Sequence, residues 1–223
     1  MTDPLAKIRA VAGDAPDTRD SAYTRRLVAR ESVGWKRLLN VQAPYRWNLR
    51  RLLGGRAVLD VGCGIGRNLA YLGRGSVGVD HNIDSVKICR ERGLTAFTPV
   101  DLMTSRYAAP GAFNGLLAAH IIEHLDPGTA HEVLAPYLGM LAPTARVVLI
   151  CPQRRGFASD PTHTAYFDQP ALAALGRELG LSVERQYSFP LPEWAGSWFT
   201  YNEFVTVATF ADGGLQLSRK SSK

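Results

Sequence analysis

The chain has 223 residues, 46% of them hydrophobic and 21% charged, so it can bury one core of ordinary globular composition. No apolar run approaches the roughly 20 residues of a transmembrane helix, and residues 1–13 lack the apolar segment of a signal peptide. The three cysteines are odd in number and widely spaced, which argues against disulfides or a thiolate zinc site and favours a cytoplasmic protein without a membrane partner. The net charge of +6 allows an anionic partner, but the basic residues do not form one block.

Helical spacing of apolar residues dominates the N-terminal part, from residue 22 to residue 53. Basic residues lie between the apolar ones, Pro44 divides the stretch into two helices, and the glycine pair that follows ends the second helix. The sequence therefore predicts an N-terminal helical extension, or lid, over residues 1–53. A polar tail is predicted at the other end, over residues 213–223.

Strand and helix patterns alternate over residues 54–212, which we interpret as one domain. Predicted strands cover residues 56–61, 76–80, 95–100, 113–119, 145–151, 182–188 and 204–210. Predicted helices cover residues 66–73, 83–92, 128–140 and 169–179. This alternation predicts an α/β fold, in which a mostly parallel, doubly wound, Rossmann-like sheet is covered by helices on both faces. The last strand follows no helix, so we expect it to run antiparallel beside the strand before it.

A glycine-rich turn follows the first predicted strand. It has the pattern D-x-G-x-G-x-G, formed by Asp60, Gly62, Gly64 and Gly66. Glycines let the backbone approach a bound ligand closely. The next strand ends in Asp80, and an acid at that place can accept hydrogen bonds from both hydroxyls of a ribose. The dinucleotide pattern G-x-G-x-x-G does not fit, because Arg67 stands where its third glycine would be.

These residues resemble motif I of the class I methyltransferases that depend on S-adenosylmethionine (SAM). The resemblance covers roughly residues 45–210. It implies that SAM is the cofactor, with Asp80 on its ribose and Asp101 on its adenine amino group. Further expected cofactor-binding residues are His81, Leu102, Tyr45 and Arg46, the last two on a helix of the kind that often covers the cofactor in this family.

A second group of polar residues begins where the strand predicted over residues 113–119 ends. His120, Glu123 and His124 follow it, and a helical turn would bring them to one side. His163 follows the neighbouring strand, and the carboxyl ends of such strands border one ligand site. We therefore predict that these four residues hold a divalent cation and carry the catalysis. The alternative is a packed turn with a solvated Glu123, in which the spacing has no function.

The four residues are similar to the metal site of the small-RNA 2′-O-methyltransferases, which have the pattern E-x-x-E-H and a later histidine. His120 departs from that pattern, because it stands where those enzymes have a glutamate. The resemblance implies Mg²⁺ or Mn²⁺, whereas imidazole-rich sites by themselves suit Zn²⁺, Mn²⁺, Fe²⁺ or Co²⁺ better. A bound cation acidifies a hydroxyl group and a neutral histidine can accept its proton, so this set favours O-methylation.

Aromatic residues are concentrated between residues 187 and 202 and suit a sugar or a flat ring as acceptor. The candidates for contacting the acceptor are Trp194, Trp198, Tyr201, Arg154 and, beside it, Gln153 and Arg155. More narrowly, the sequence resembles actinobacterial methyltransferases of methylated-mannose polysaccharide synthesis, which implies an oligosaccharide acceptor. The alternatives are an RNA 2′-O-methyltransferase, a phenol or quinone O-methyltransferase, and a SAM-binding module without catalysis.

Overall fold

The computed structural model describes residues 42–126 and 128–211, and within them seven strands form one sheet. The strands are β1 (Val58–Val61), β2 (Val77–Val79), β3 (Ala96–Phe97), β4 (Phe113–Ala119), β5 (Leu141–Pro152), β6 (Leu181–Phe189) and β7 (Glu203–Phe210). Their order is β3-β2-β1-β4-β5-β7-β6. The pairings among β1 to β5 are parallel, whereas β7 is antiparallel to both of its neighbours. This confirms the predicted α/β, Rossmann-like sheet with an antiparallel last strand.

Six helices lie in the described residues. They are α1 (Ala43–Leu53), α2 (Ile83–Glu91), α3 (Pro99–Met103), α4 (Thr129–Leu138), α5 (Arg154–Phe157) and α6 (Gln169–Glu178). Pro44 stands in the first turn of α1, where its missing N–H costs no hydrogen bond. The predicted helix before Pro44 and the tail over residues 213–223 lie outside the described residues. None of the described helices is both long and apolar enough to span a membrane.

The side chains of the central strands alternate between two apolar layers, one on each face of the sheet. On one face Leu49, Leu52 and Leu53 of α1 pack with strand residues that include Leu117. On the other face α4 and α6 pack with strand residues that include Leu149. Each leucine buried in this way stabilises the fold by about 1.5–3 kcal/mol. Because both faces are covered, the ends of the strands are the places left for a ligand.

Two predicted elements are wrong in extent. The helix predicted over residues 66–73 is only a 3₁₀ turn at Leu69–Tyr71, because Gly66 has a left-handed φ of 82° and cannot begin a right-handed helix. The strand predicted over residues 95–100 is reduced to β3, because the Thr98 side chain accepts a hydrogen bond from the Asp101 N–H and begins α3.

Candidate active site

The glycine turn after β1 crosses the carboxyl end of the sheet in a left-handed backbone conformation. Gly62, Gly64 and Gly66 have φ angles of 73°, 52° and 82°, which other residues rarely adopt. The Gly62 N–H donates to the Val79 carbonyl at 2.8 Å, so the turn is tied to the end of β2. A Cβ atom at Gly62 would lie 2.6 Å from Cδ1 of Ile121, in the segment that follows β4. The turn therefore touches the ends of both strands that flank β1.

Asp80 fastens this glycine turn to the end of β2. Its Oδ2 accepts a hydrogen bond from the Gly64 N–H, and its Oδ1 accepts one from the Asn82 N–H, both at 2.8 Å. Nδ1 of His81 lies 3.9 Å from Oδ1 of Asp80. Each carboxylate oxygen can accept a further hydrogen bond. Asp80 can therefore hold the loop and still receive the hydroxyl groups of a ligand.

Asp60 is a buried carboxyl group at the end of β1 beneath the turn. Its Oδ2 has no hydrogen-bond partner within residues 42–126 and 128–211. Burial and the nearby charge of Asp80 raise the pKa of Asp60 to about 8, although a backbone hydrogen bond from Leu69 acts in the opposite direction. A cationic group of a ligand placed next to it would favour the ionised form of this buried carboxyl group.

The other residues predicted to bind the cofactor come from α1 and α3. Asp101 is exposed on α3, 3.9 Å from Arg90. The side chain of Leu102 is fully buried in the core. Arg46 of α1 lies over the ring of Tyr71, just past the turn. The Tyr45 hydroxyl donates to the Tyr201 carbonyl at 2.8 Å, which ties α1 to the aromatic segment. 

Three of the four predicted metal ligands come together. One ligand atom from each of Glu123, His124 and His163 lies within 4.8 Å of the others. The long loop after α5 brings His163 to this place, because the N–H groups of Thr164 and Ala165 both donate to the Glu123 carbonyl. We call Glu123, His124 and His163 the three-residue cluster.

The hydrogen bonds of the two histidines fix where their lone pairs lie. Nδ1 of His163 is 2.8 Å from the Phe157 carbonyl, and Nδ1 of His124 is 3.1 Å from the Thr162 carbonyl. Carbonyl oxygens only accept hydrogen bonds, so each Nδ1 carries the proton. The hydroxyl group of Thr162 does not donate to His124, because it donates to Asp160 at 2.7 Å. The lone pair of each ring is therefore on Nε2. Metal-binding histidines are commonly oriented in this way by a second hydrogen bond.

Glu123 and His124 have the charge states that a cation needs. Burial favours the neutral form of Glu123, but the hydrogen bond from His120 and the charge of His120 outweigh it and lower the pKa of Glu123. Burial lowers the pKa of His124, so its ring is neutral at pH 7. Oε2 of Glu123 is buried and has no hydrogen-bond partner in the described part of the chain. Two imidazoles and one carboxylate with a spare oxygen fit a divalent transition metal ion such as Mn²⁺.

His120 lies outside this cluster, contrary to our prediction. It stands before the 3₁₀ turn at Ile122–His124 rather than within it, and its φ angle of 57° is left-handed. Its Nδ1 is 3.2 Å from Oε1 of Glu123, and its Nε2 is 2.8 Å from Oε1 of Glu203. These two carboxylates outweigh the desolvation of the ring and raise the pKa of His120 to about 10. Glu203 was not predicted from the sequence. The pattern that could have indicated it is an acid at the start of a largely apolar strand.

A cavity of about 410 Å³ lies at the ends of β5 and β7. Its lining residues are Gln153, Arg154, Tyr166, Glu193, Trp194, Gly196, Ser197 and Phe204. Arg154 and Trp194 were predicted, whereas Trp198 and Tyr201 are exposed on the same segment but do not line the cavity. Tyr166 and Glu193 were not predicted; Tyr166 comes from the loop after α5, whereas Glu193 directly precedes Trp194.

Gln153 lines the cavity and is also held in place by other parts of the chain. Its side chain is buried and bonds Asn202 and Ser188. Phe157 links the cavity to the three-residue cluster, because its ring stacks on His163 and meets the edge of Tyr166. The cavity and the cluster are therefore neighbours.

Comparison with known proteins identifies the fold. No family model matches the sequence, and no curated protein matches it significantly. A SAM-dependent methyltransferase from Archaeoglobus fulgidus is 23% identical, with a TM-score of 0.58 over 74% of this chain and 92% of that one. A TehB-like SAM-dependent methyltransferase from Corynebacterium glutamicum is 16% identical, with a TM-score of 0.59 over 86% and 100%.

A third solved structure contains ligands. It is 1,6-didemethyltoxoflavin-N1-methyltransferase from Burkholderia thailandensis, with bound 1,6-didemethyltoxoflavin and S-adenosylhomocysteine (SAH). It is 19% identical, with a TM-score of 0.58 over 95% of this chain and 92% of that one. At these identities the likeness shows that the chain has the fold of SAM-dependent methyltransferases.

Proposed function

We propose that the protein is a SAM-dependent O-methyltransferase that uses a divalent cation and methylates a hydroxyl group of a sugar or similar polyol, such as a methylated mannoside. The observation that carries the proposal is the packing of the glycine turn on the segment of the three-residue cluster. Gly62 touches Ile121, which is two residues before Glu123. Loop and cluster thus share one edge of a sheet whose fold is common among SAM-dependent methyltransferases.

In this proposal the residues around the glycine turn bind the cofactor. SAM, when bound, would supply a methyl group for in-line transfer to an oxygen nucleophile, with SAH as the leaving group. The spare oxygen of Asp60 suits the ammonium group of SAM, and Asp80 receives the ribose hydroxyls. Asp101, exposed on α3, receives the adenine amino group. The chain contributes mainly by alignment, which can lower such a barrier by about 7–11 kcal/mol in favourable cases.

The three-residue cluster is proposed to hold the cation and prepare the acceptor. When bound there, a divalent cation would acidify an adjacent hydroxyl group. Glu123 offers Oε2, and His124 and His163 offer Nε2 as ligand atoms. Because His124 is neutral at pH 7, it can bind a cation without first losing a proton.

The cavity is proposed to hold the acceptor. At about 410 Å³ it is near the lower end of small-molecule sites, which span about 300–1,000 Å³. Trp194 offers an aromatic face, and Arg154 and Glu193 offer hydrogen bonds of both kinds, a combination that suits a hydroxyl-rich ring. The alternative acceptor is a phenol or quinone, which is favoured by the aromatic share of the lining, Tyr166, Trp194 and Phe204.

Transfer of a labelled methyl group from SAM to a panel of acceptors tests this proposal. The panel contains oligomannosides, RNA 3′ ends and catechols, each with EDTA and without it. We expect transfer to the oligomannosides that is lost with EDTA and restored by Mn²⁺ or Mg²⁺. Transfer unaffected by EDTA would contradict the cation, and transfer to catechol or RNA alone would contradict the acceptor. SAM binding without transfer to any acceptor would favour a binding module.

A further inference from the structure

His120 bridges two carboxylates that come from distant parts of the chain. Its Nδ1 is 3.2 Å from Glu123 and its Nε2 is 2.8 Å from Glu203, which is 83 residues away. Each ring nitrogen of His120 is therefore within hydrogen-bond distance of a carboxylate oxygen. His120 is held between two acids, and both of its ring nitrogens are occupied by these contacts.

The bridge is anchored at both ends by the sheet. Glu203 begins β7 opposite Pro152 of β5, and its side chain is only 12% exposed. The backbone N–H of His120 donates to the Ile150 carbonyl of the same β5 strand at 3.0 Å. The left-handed φ of His120, 57°, is unfavourable for a residue with a Cβ atom. The fold thus holds a strained residue in place at the edge where the candidate ligands lie.

The bridge also decides which oxygen of Glu123 remains for a ligand. The hydrogen bond from His120 takes Oε1, whereas Oε2 is the buried atom without a partner among the described residues. A carboxylate fixed through one oxygen presents the other in a single orientation. Hydrogen-bonded supports of this kind typically alter metal affinity by about 10- to 100-fold when they are removed.

We infer that His120 and Glu203 are positioning residues for the cation site: Glu203 holds His120, and His120 orients Glu123 so that Oε2 faces the cation. The inference rests on the cation of the proposed function. It replaces the predicted ligand role of His120 by a support role, and it gives a function to Glu203.

Metal binding by the full chain, without SAM or acceptor, tests the inference. Mn²⁺ affinity is measured by electron paramagnetic resonance, and Co²⁺ absorption reports the geometry of the ligands. Glu203→Gln keeps the shape but removes the charge, and we expect it to weaken Mn²⁺ binding by about 10- to 100-fold and to change the Co²⁺ spectrum. Glu203→Asp, which retains a carboxylate, should recover part of the affinity. Glu184→Gln, an exposed acid on β6, is the control that should change neither.

A second variant covers the case in which Glu203→Gln does not fold. His120→Gly removes the imidazole and suits the left-handed backbone, so it should fold and still lose affinity. Unchanged Mn²⁺ affinity and Co²⁺ spectra in the variants of both residues would overturn this inference and leave the cation in place. If the wild-type chain bound neither metal, the cation of the proposed function would fail as well.

Discussion

The contact between Gly62 and Ile121 allows backbone strain to be separated from steric conflict. A methyl group at Gly62 would lie 2.6 Å from Cδ1 and 2.8 Å from Cβ of Ile121, on a backbone with φ of +73°. The left-handed conformation costs Gly62→Ala about 1–2 kcal/mol, and the overpacking adds about 1–3 kcal/mol. We therefore expect a loss of about 2–5 kcal/mol in the free energy of unfolding.

Gly55→Ala is the matched control for this substitution. Gly55 has a φ angle of +75°, but no atom lies within 4 Å of the added methyl group. Its free energy of unfolding should fall only by the cost of the left-handed conformation, about 1–2 kcal/mol. Urea denaturation gives both losses, and titration calorimetry with SAH should show weaker binding for Gly62→Ala alone.

Removal of the Ile121 side chain provides the second half of the test. In the double variant Gly62→Ala/Ile121→Ala the methyl group has room, so the loss should be smaller than the sum of the two single losses. Equal losses for Gly62→Ala and Gly55→Ala, or strictly additive losses in the double variant, would refute the reasoning.

Three further predictions concern the carboxyl group of Asp60, the three-residue cluster and the cavity lined by Trp194. Because the pKa of Asp60 is raised to about 8, this carboxyl binds more protons in the folded than in the unfolded chain between about pH 4 and 8. The free energy of unfolding of the wild-type chain, measured by urea denaturation, should therefore fall as pH rises through this window, relative to that of Asp60→Asn. The same pH dependence in both proteins would contradict this. His163→Ala should lower kcat by about 10²–10⁴-fold and leave the affinity for SAH unchanged. The control His131→Ala, on α4, should leave kcat unchanged. Equal kcat values for the two variants would show that His163 has no part in the mechanism. Trp194→Ala, at a side chain 69% exposed, should raise KM for the acceptor and change stability by less than about 0.5 kcal/mol; an unchanged KM would place the acceptor elsewhere.

The strands and the glycine turn could be predicted because their signals are local. Central strands such as β1 and β4 are apolar runs, and the turn is a short pattern that ends at Gly66. The parallel pairing of β1 to β5 follows from the alternation of strands and helices, since parallel neighbours need crossovers. The grouping of Glu123 with His163 was also predictable, because both follow the carboxyl ends of neighbouring strands.

The contacts that hold the three-residue cluster in place could not be predicted from local sequence patterns. The contact of His120 with Glu203 depends on the register by which β7 pairs with β5, and one residue of slip would turn Glu203 to the opposite face. The spacing predicted His120 within the same helical turn as Glu123 and His124, but its left-handed backbone keeps it outside that turn. Gln153 is buried for a similar reason, because its partner Asn202 comes from the segment before β7.

A crystal structure of the protein with SAH tests the central claim most directly. We expect the nucleoside to lie between the glycine turn and Asp80, with the sulfur atom facing Glu123, His124 and His163. That arrangement would join the cofactor site and the cluster in one active site. SAH bound away from Asp80, or with its sulfur turned from the cluster, would contradict the account.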